Sequence, residues 1–230
     1  MTERLLAIGD IHGCLTPFID LVEQKIKLKH GDKLVLLGDY IDRGYQSREV
    51  VEYIINLKKK GFEIITLLGN HESMLLNTLD NDEFLSIWTL NGCIETLESF
   101  GIRRLRDLDQ LYIDFFKNLL YYWSFNQFIF VHAGFNDSIE DPFEDKAEMI
   151  WTRREKYENP VFKDKIIVHG HSPITESICK QRIMEKDPVL NLDTGCVYTD
   201  RSDYGRLSAL ELYSMQLYSV PCLSDIKSNQ

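Results

Sequence analysis

One pattern, stated three times within the first 80 residues, constrains this chain more than any other feature: a short apolar run, then glycine, then a carboxylate or amide. The runs are Leu5-Leu6-Ala7-Ile8 before Gly9-Asp10, Leu34-Val35-Leu36-Leu37 before Gly38-Asp39, and Ile64-Ile65-Thr66-Leu67-Leu68 before Gly69-Asn70. Uninterrupted apolar runs of this length suit strands covered on both faces. Asp10, Asp39 and Asn70 stand 29 and 31 positions apart, close to the length of a βαβ unit. Helical signals lie between them. Thr16-Pro17 predicts an N-cap followed by the first helical residue, and Ser47 precedes the stripe Val50, Val51, Ile54, Ile55, which stops near Gly61. Right-handed crossovers then set the three polar residues along one carboxyl edge of a parallel sheet.

The second half is strand-rich. Phe128-Ile129-Phe130-Val131 precedes His132, Lys165-Ile166-Ile167-Val168 precedes His169-Gly170-His171, and Val189-Leu190-Asn191-Leu192 precedes Asp193. Arg206 to Tyr213, with Leu207, Ala209 and Leu212, predicts a last strand or hairpin. Residues 73–126 differ: Phe84, Ile87, Trp88, Leu90, Ile94 and Leu97, then Leu111, Phe115, Leu119 and Tyr122, fall at helical spacings. They predict a helical insertion beside the sheet edge, its Trp and Tyr residues serving as core. Residues 141–159 lack periodicity and are expected to form a long loop, the kind that often carries function. Residues 223–230 are expected to be a frayed tail.

A chain of 230 residues with 44% hydrophobic and 27% charged residues is expected to form one soluble domain, residues 1–230. No apolar run approaches the roughly 18 residues of a membrane span, and Met1 to Arg4 leads into a strand-like run, not a signal segment, so a cytoplasmic protein without membrane contact is expected. The five cysteines, Cys14, Cys93, Cys179, Cys196 and Cys222, are odd in number and scattered, which indicates neither a disulfide framework nor a zinc finger. They read as packing residues. With 26 basic against 36 acidic residues, a net charge of −10, no nucleic-acid partner is expected. Lys58-Lys59-Lys60 falls at a helix end, where cations favour the dipole, and Arg103, Arg104 and Arg106 read as a solvated face.

Of the six histidines, His12, His71, His132, His169 and His171 stand immediately after strand-like runs, beside Gly, Asp or Asn; only His30 lies elsewhere. A lone histidine in such a place is usually a hydrogen-bonded structural residue. Five on the edge that holds Asp10, Asp39 and Asn70 form a carboxylate, imidazole and amide donor set, suited to Mn²⁺, Fe²⁺ or Zn²⁺. Asp39, on the middle strand, is placed to bridge two ions.

The strings Gly9-Asp10-Ile11-His12-Gly13, Gly38-Asp39-Tyr40-Ile41-Asp42-Arg43-Gly44, Gly69-Asn70-His71-Glu72, Val131-His132-Ala133-Gly134 and Gly170-His171-Ser172-Pro173 occur in that order. Together they resemble the signature of the phosphoprotein phosphatase branch of the calcineurin-like metallophosphoesterases, over about residues 5–195. The chain looks most like the compact bacterial and phage serine/threonine phosphatases of that branch. The resemblance implies an α/β fold, an αββα sandwich of two mixed sheets flanked by helices, with a dinuclear metal centre at the strand ends.

Position by position, the resemblance gives Asp10, His12 and Asp39 to one metal and Asp39, Asn70, His132 and His171 to the other. Manganese is expected first, with iron or zinc as alternatives. Two cations about 3.5–4 Å apart hold a water, lower its pKa and direct it in line at phosphorus. His71 resembles the family's general acid and Asp42 its orienting partner. Arg43 resembles a phosphate clamp, and a planar guanidinium suits bidentate contact with phosphate oxygens. Asn70 and His71 also border the phosphate position. Trp151-Thr152-Arg153 resembles a segment that supplies a second clamp, so Arg153 is preferred over Arg154, although both could be surface residues. His171 is in register with the family's ligand, leaving His169 behind it, and Pro173 stands where wider relatives place a further metal histidine. Asp193-Thr194-Gly195 is assigned to turn structure.

The implied activity is hydrolysis of phosphoserine or phosphothreonine, with phosphotyrosine a further option, in a phosphoprotein or phosphopeptide, by direct attack of a metal-bridging hydroxide. The enzymatic alternative is a symmetrical dinucleoside-tetraphosphate hydrolase. Two departures weigh against it: that group typically lacks the acid at Asp42 and carries Asp where this chain has Glu72. A catalytically inactive binding scaffold is a third reading, disfavoured because no ligand position is lost.

Overall fold

The computed structural model describes residues 3–222. Strands β1 (Leu5–Ile8), β2 (Lys33–Leu36) and β3 (Glu63–Thr66) are parallel, in the spatial order β3-β2-β1. The sheet is completed by an antiparallel hairpin, β8 (Arg206–Glu211) and β9 (Gln216–Pro221), with β8 against β1. A second sheet has the order β4-β5-β6-β7, from Tyr122–Phe125, Phe128–Val131, Ile166–His169 and Val189–Asn191. Its last three strands are parallel and β4 is antiparallel to β5. Both sheets are therefore mixed, as expected.

The strands are apolar on both faces because both faces are covered. Along β1, Leu5 and Ala7 face the second sheet, sharing one cluster with Val35, Phe128, Phe130, Val168 and Leu190, while Leu6 and Ile8 share the other with Phe18, Leu21, Val51 and Ile54 of the flanking helices. The two-residue period of a strand thus sorts a continuous apolar run into two cores. Each buried Leu, Ile or Phe contributes about 1.5–3 kcal/mol.

Several local expectations change. The first helix, α1 (Leu15–Ile19), is preceded by Cys14 at the cap position, so Thr16 is inside the helix and Pro17 in its first turn; it continues as a π-helical segment over Asp20–Ile26. Pro17 still fits, since the first-turn N–H it lacks has no helical partner. Helix α2 (Ser47–Lys59) buries Val50, Val51 and Ile54 as the stripe predicts. The segment at 73–126 begins inside α3 (Asn70–Asp80), continues through α4 (Leu85–Thr89), α5 (Cys93–Phe100) and α6 (Gln110–Lys117), and ends in a strand instead of a helix. Tyr122 belongs to β4, where pairing with Val131 overrides its helical spacing. The expected loop at 141–159 holds a short helix, α7 (Lys146–Trp151), capped by Asp145 and tied to the end of β5 by the Ala133 N–H donating to the Met149 carbonyl at 2.8 Å. Helix α8 (Glu176–Glu185) connects β6 to β7. The expected tail at 223–230 lies outside the described residues.

Candidate metal centre

The polar residues that follow β1, β2, β3, β5 and β6 meet at one edge, where the chain must turn sharply out of each strand. Five of them take left-handed backbone conformations: His12 (φ 47°), Asp39 (52°), Asp42 (71°), Arg43 (68°) and His171 (67°). They make up half of the non-glycine residues with positive φ among the described residues. Such conformations are strained, and they cluster where surrounding contacts over-determine the backbone. Glu72 supplies part of that support: its buried carboxylate accepts from the backbone N–H groups of Gly69, Asp39, Tyr40 and Ile41 at 2.7–3.3 Å. Gly69 is required by proximity, since a Cβ there would lie 2.2 Å from Asp39 Oδ1.

Asp39 is the centre. His12 Nε2 lies 3.6 Å and His71 Nε2 3.9 Å from its Oδ2, and His132 Nε2 lies 3.5 Å from its Oδ1. Two trios, His12/Asp39/His71 and Asp39/His132/His171, each bring three donor atoms within 4.8 Å of one another, with Asp39 common to both. Asn70 Oδ1 is 3.0 Å from both His132 Nε2 and His171 Nδ1. The Nδ1 of His132 faces the Leu37 carbonyl at 2.8 Å, and that of His12 faces the Ile41 carbonyl at 2.9 Å. These carbonyls assign the proton to Nδ1 in each ring and turn the Nε2 lone pair inward. At His132, a nitrogen lone pair, an amide oxygen and a carboxylate oxygen thus converge with no proton between them, an arrangement a cation resolves.

The electrostatics agree. Burial alone would raise the Asp39 carboxyl, but the four surrounding imidazoles, His132 foremost, outweigh it and hold it below the usual carboxylate range. Burial lowers His12 and His132, and takes His171 down to about 3, each change favouring the neutral, lone-pair form that a cation requires. The residues fit divalent cations with N and O ligands. Asp10 enters differently. Its carboxylate accepts from the His171 N–H at 3.1–3.2 Å, and burial, together with Asp193 and Asp39, raises it well above its ordinary value. It is absent from the two converging trios; His71 occupies the place in the first trio that the resemblance gives to Asp10.

Behind the trios stands Asp42, the expected partner of His71, with two further supports that the sequence did not reveal, Trp88 and Thr96. His71 Nδ1 donates to Asp42 Oδ2 at 2.6 Å, and the same oxygen accepts from Trp88 Nε1 at 2.7 Å. Asp42 Oδ1 accepts from Thr96 Oγ1 at 2.6 Å. The Asp42 N–H donates to Ser47 Oγ and Thr96 Oγ1. Trp88 is fully buried, as its periodicity predicts, but it also ties the helical segment to the carboxylate behind His71. The only sequence signal for this is that a buried indole N–H needs an acceptor. His71 Nε2 is buried and has no hydrogen-bond partner.

The arginines divide. Arg43 Nη1 is 2.7 Å from His12 Nε2, so this guanidinium must leave that nitrogen before His12 can ligate a cation. Arg153 donates to Ser172 Oγ at 2.9 Å, next to His171, whereas Arg154 turns to Asp137 at 3.9 Å. Trp151, 44% exposed, sets its ring 6.2 Å from that of His171. His169 is buried behind His171, with Nδ1 3.0 Å from the Gly170 carbonyl, and burial lowers it to about 4. Asp193 accepts from the Gly195 N–H at 3.0 Å, the turn role expected of it. No helix among the described residues is long and apolar enough to cross a membrane.

Residues 3–203 match the family model described as calcineurin-like phosphoesterase. A zinc-dependent endopolyphosphatase of Saccharomyces cerevisiae is 35% identical over 102 residues, which is 44% of this chain but only 30% of that one. An asymmetrical bis(5'-nucleosyl)-tetraphosphatase, PrpE, of Anoxybacillus flavithermus is 25% identical over 238 residues, covering 93% of this chain and 92% of the relative. A symmetrical bis(5'-nucleosyl)-tetraphosphatase of Thioalkalivibrio sulfidiphilus is 42% identical over 72 residues, 31% of this chain and 26% of the relative. Among solved structures, one provisionally described as a diadenosine tetraphosphatase superposes with a TM-score of 0.67 at 22% identity, covering 96% of this chain and 94% of that one. A protein serine/threonine phosphatase from Saccharomyces cerevisiae gives 0.65 at 17% identity, covering 95% and 80%. At these identities the superpositions establish the fold.

Proposed function

Because this chain belongs to the calcineurin-like phosphoesterase family, a family of metal-dependent hydrolases, we propose that it hydrolyses a phosphoanhydride of a dinucleoside tetraphosphate, in the asymmetrical sense. The observation that carries this reading is the end-to-end similarity to the asymmetrical tetraphosphatase, which covers more than nine-tenths of both chains. Symmetrical relatives match over shorter stretches, 69 to 131 residues and 30% to 56% of this chain.

This replaces the phosphoprotein substrate as the preferred one. The departures at Asp42 and Glu72 do not oppose it, for a structural reason. Glu72 holds backbone N–H groups of the Asp39 turn, and Asp42 holds His71 from behind. Both carboxylates are fully buried, so neither meets a substrate or reports its identity.

Asp10, His12, Asp39, Asn70, His132 and His171 would hold the cations, with Asp10 also accepting from the His171 backbone N–H. Bound there, divalent ions supply an activated water and neutralise phosphate charge. The rest falls to the chain. Arg43, once off His12, and Arg153 pair with phosphate oxygens. Water adds to one phosphorus, the bridging oxygen leaves with the other fragment, and His71 delivers a proton to that oxygen from Nε2. Asp42, anchored by Trp88 and Thr96, keeps the ring aimed.

The test is a steady-state comparison of diadenosine tetraphosphate with a phosphoserine peptide in Mn²⁺, with nucleotide products separated by chromatography. ATP plus AMP is expected. Two ADP would reassign the cleavage to the symmetrical mode, and higher kcat/KM on the peptide would overturn the reading.

A further inference from the structure

We propose that Cys14, Cys196 and Cys222 form a second, thiolate-type binding site for a zinc-group divalent cation, separate from the histidine and aspartate centre. Distant in sequence, they are brought together by the fold. Cys14 precedes α1, Cys196 follows the turn after β7, and Cys222 ends the β9 hairpin arm. All three are buried, at 4%, 1% and 1% exposure, and their sulfur atoms lie within 4.8 Å of one another. Two thiolates on one tetrahedral Zn²⁺, with Zn–S near 2.3 Å, sit about 3.8 Å apart, so the trio closes on an ion with small side-chain movements.

A fourth donor is adjacent. The Ile11 carbonyl oxygen is 3.0 Å from Cys196 Sγ, and the His12 carbonyl is 3.7 Å from Cys14 Sγ. Charge selects the cation class. Three thiolates and a divalent ion leave one net negative charge in a buried place, whereas a monovalent ion leaves two, which the interior penalises more heavily. Softness selects within the divalent ions, since thiolates favour zinc and its heavier congener cadmium over Mn²⁺. The two centres therefore sort metals by donor type. The chain joins them through Ile11, which lies between Asp10 and His12.

Cadmium is the probe. The full chain, freed of metal, is first saturated with Mn²⁺ to occupy the N/O donors and then titrated with Cd²⁺. The ultraviolet thiolate-to-cadmium charge-transfer band is followed, with bound cadmium counted by elemental analysis. One equivalent is expected to bind with the band, which Cys196→Ser and Cys222→Ser each abolish and Cys93→Ser leaves intact. Absence of the band in the folded wild-type protein, or its persistence at full strength in Cys196→Ser, would overturn the proposal. The wild-type arm decides the matter even if a variant fails to fold.

Discussion

Replacing Asp42 by Asn tests the layer behind His71 with little change of shape. The amide oxygen can take the Oδ2 position, accepting from His71 Nδ1 and Trp88 Nε1 as the carboxylate does at 2.6 and 2.7 Å. The amide NH₂ then faces Thr96, whose hydroxyl can turn its proton toward Ser47 Oγ at 3.2 Å and accept instead. What disappears is the negative charge. A hydrogen bond to an ionised group is worth about 1.5–3 kcal/mol and one between neutral groups about 0.5–1.5 kcal/mol. The hydrogen bond that aims the His71 ring thus weakens by about 1–1.5 kcal/mol, which converts to about a 5- to 13-fold fall in kcat where proton delivery limits the rate. Turnover of an alkyl phosphate and of p-nitrophenyl phosphate should be measured in saturating Mn²⁺, with bound metal checked by elemental analysis. The alkyl ester should show the full loss, the nitrophenyl ester much less, and KM should barely move. Equal losses on both esters, or a loss of bound metal, would refute the positioning role.

Asp39→Asn should remove both ions together in metal analysis, because this side chain is common to both donor trios; retention of one ion would contradict a bridging role. Far from the site, Asp32 pairs with the Arg4 guanidinium and accepts from the Lys29 N–H at 2.8 Å. Burial works against its ionised form, but the Arg4 hydrogen bond prevails and holds its carboxyl below 3.8. Its folded value is therefore below its unfolded one, so this stability is present above about pH 4 and is lost as pH falls through the folded value. Asp32→Asn should lower urea stability by about 1–3 kcal/mol at neutral pH, with the deficit shrinking in acid; a deficit that grows on acidification would reverse the sign. Phe130→Ala, at a fully buried position between the sheets, should cost about 3–5 kcal/mol in chemical denaturation; a cost below about 1 kcal/mol would mean the sheets do not pack through it.

The parallel half of the first sheet was legible because two independent signals agree: uninterrupted apolar runs that demand cover on both faces, and turn residues at a spacing that fits one crossover unit. Most of the donor set was legible for the same reason, since each member follows a strand directly. Asp10 reaches the same edge, where its carboxylate also accepts from the His171 N–H and packs so close to Gly170 that a Cβ there would lie 2.1 Å from Oδ1, contacts that position after a strand does not specify. Tyr122 was misread because strand pairing with Val131 overrode a helical spacing. Trp88 and Thr96 were invisible as partners of Asp42, being 46 and 54 residues away along the chain. The cysteines make the same point, since spacing in sequence says nothing about three sulfurs that meet only in the folded molecule.

The left-handed residues explain why the substrate was harder to read than the chemistry. Each such non-glycine conformation costs about 1–3 kcal/mol, and His12, Asp39, Asp42, Arg43 and His171 occupy five of them. Loops cannot sustain that strain alone, so the chain surrounds the turns with buried carboxylates, hydroxyls and close glycine contacts that fix the backbone from behind. Those supports are what a motif records, because any phosphoester chemistry at this centre needs them. A buried support meets no substrate and so carries no mark of a nucleotide or a peptide; the part of a substrate beyond its phosphates would meet the exposed rim instead, where Trp151 stands beside His171.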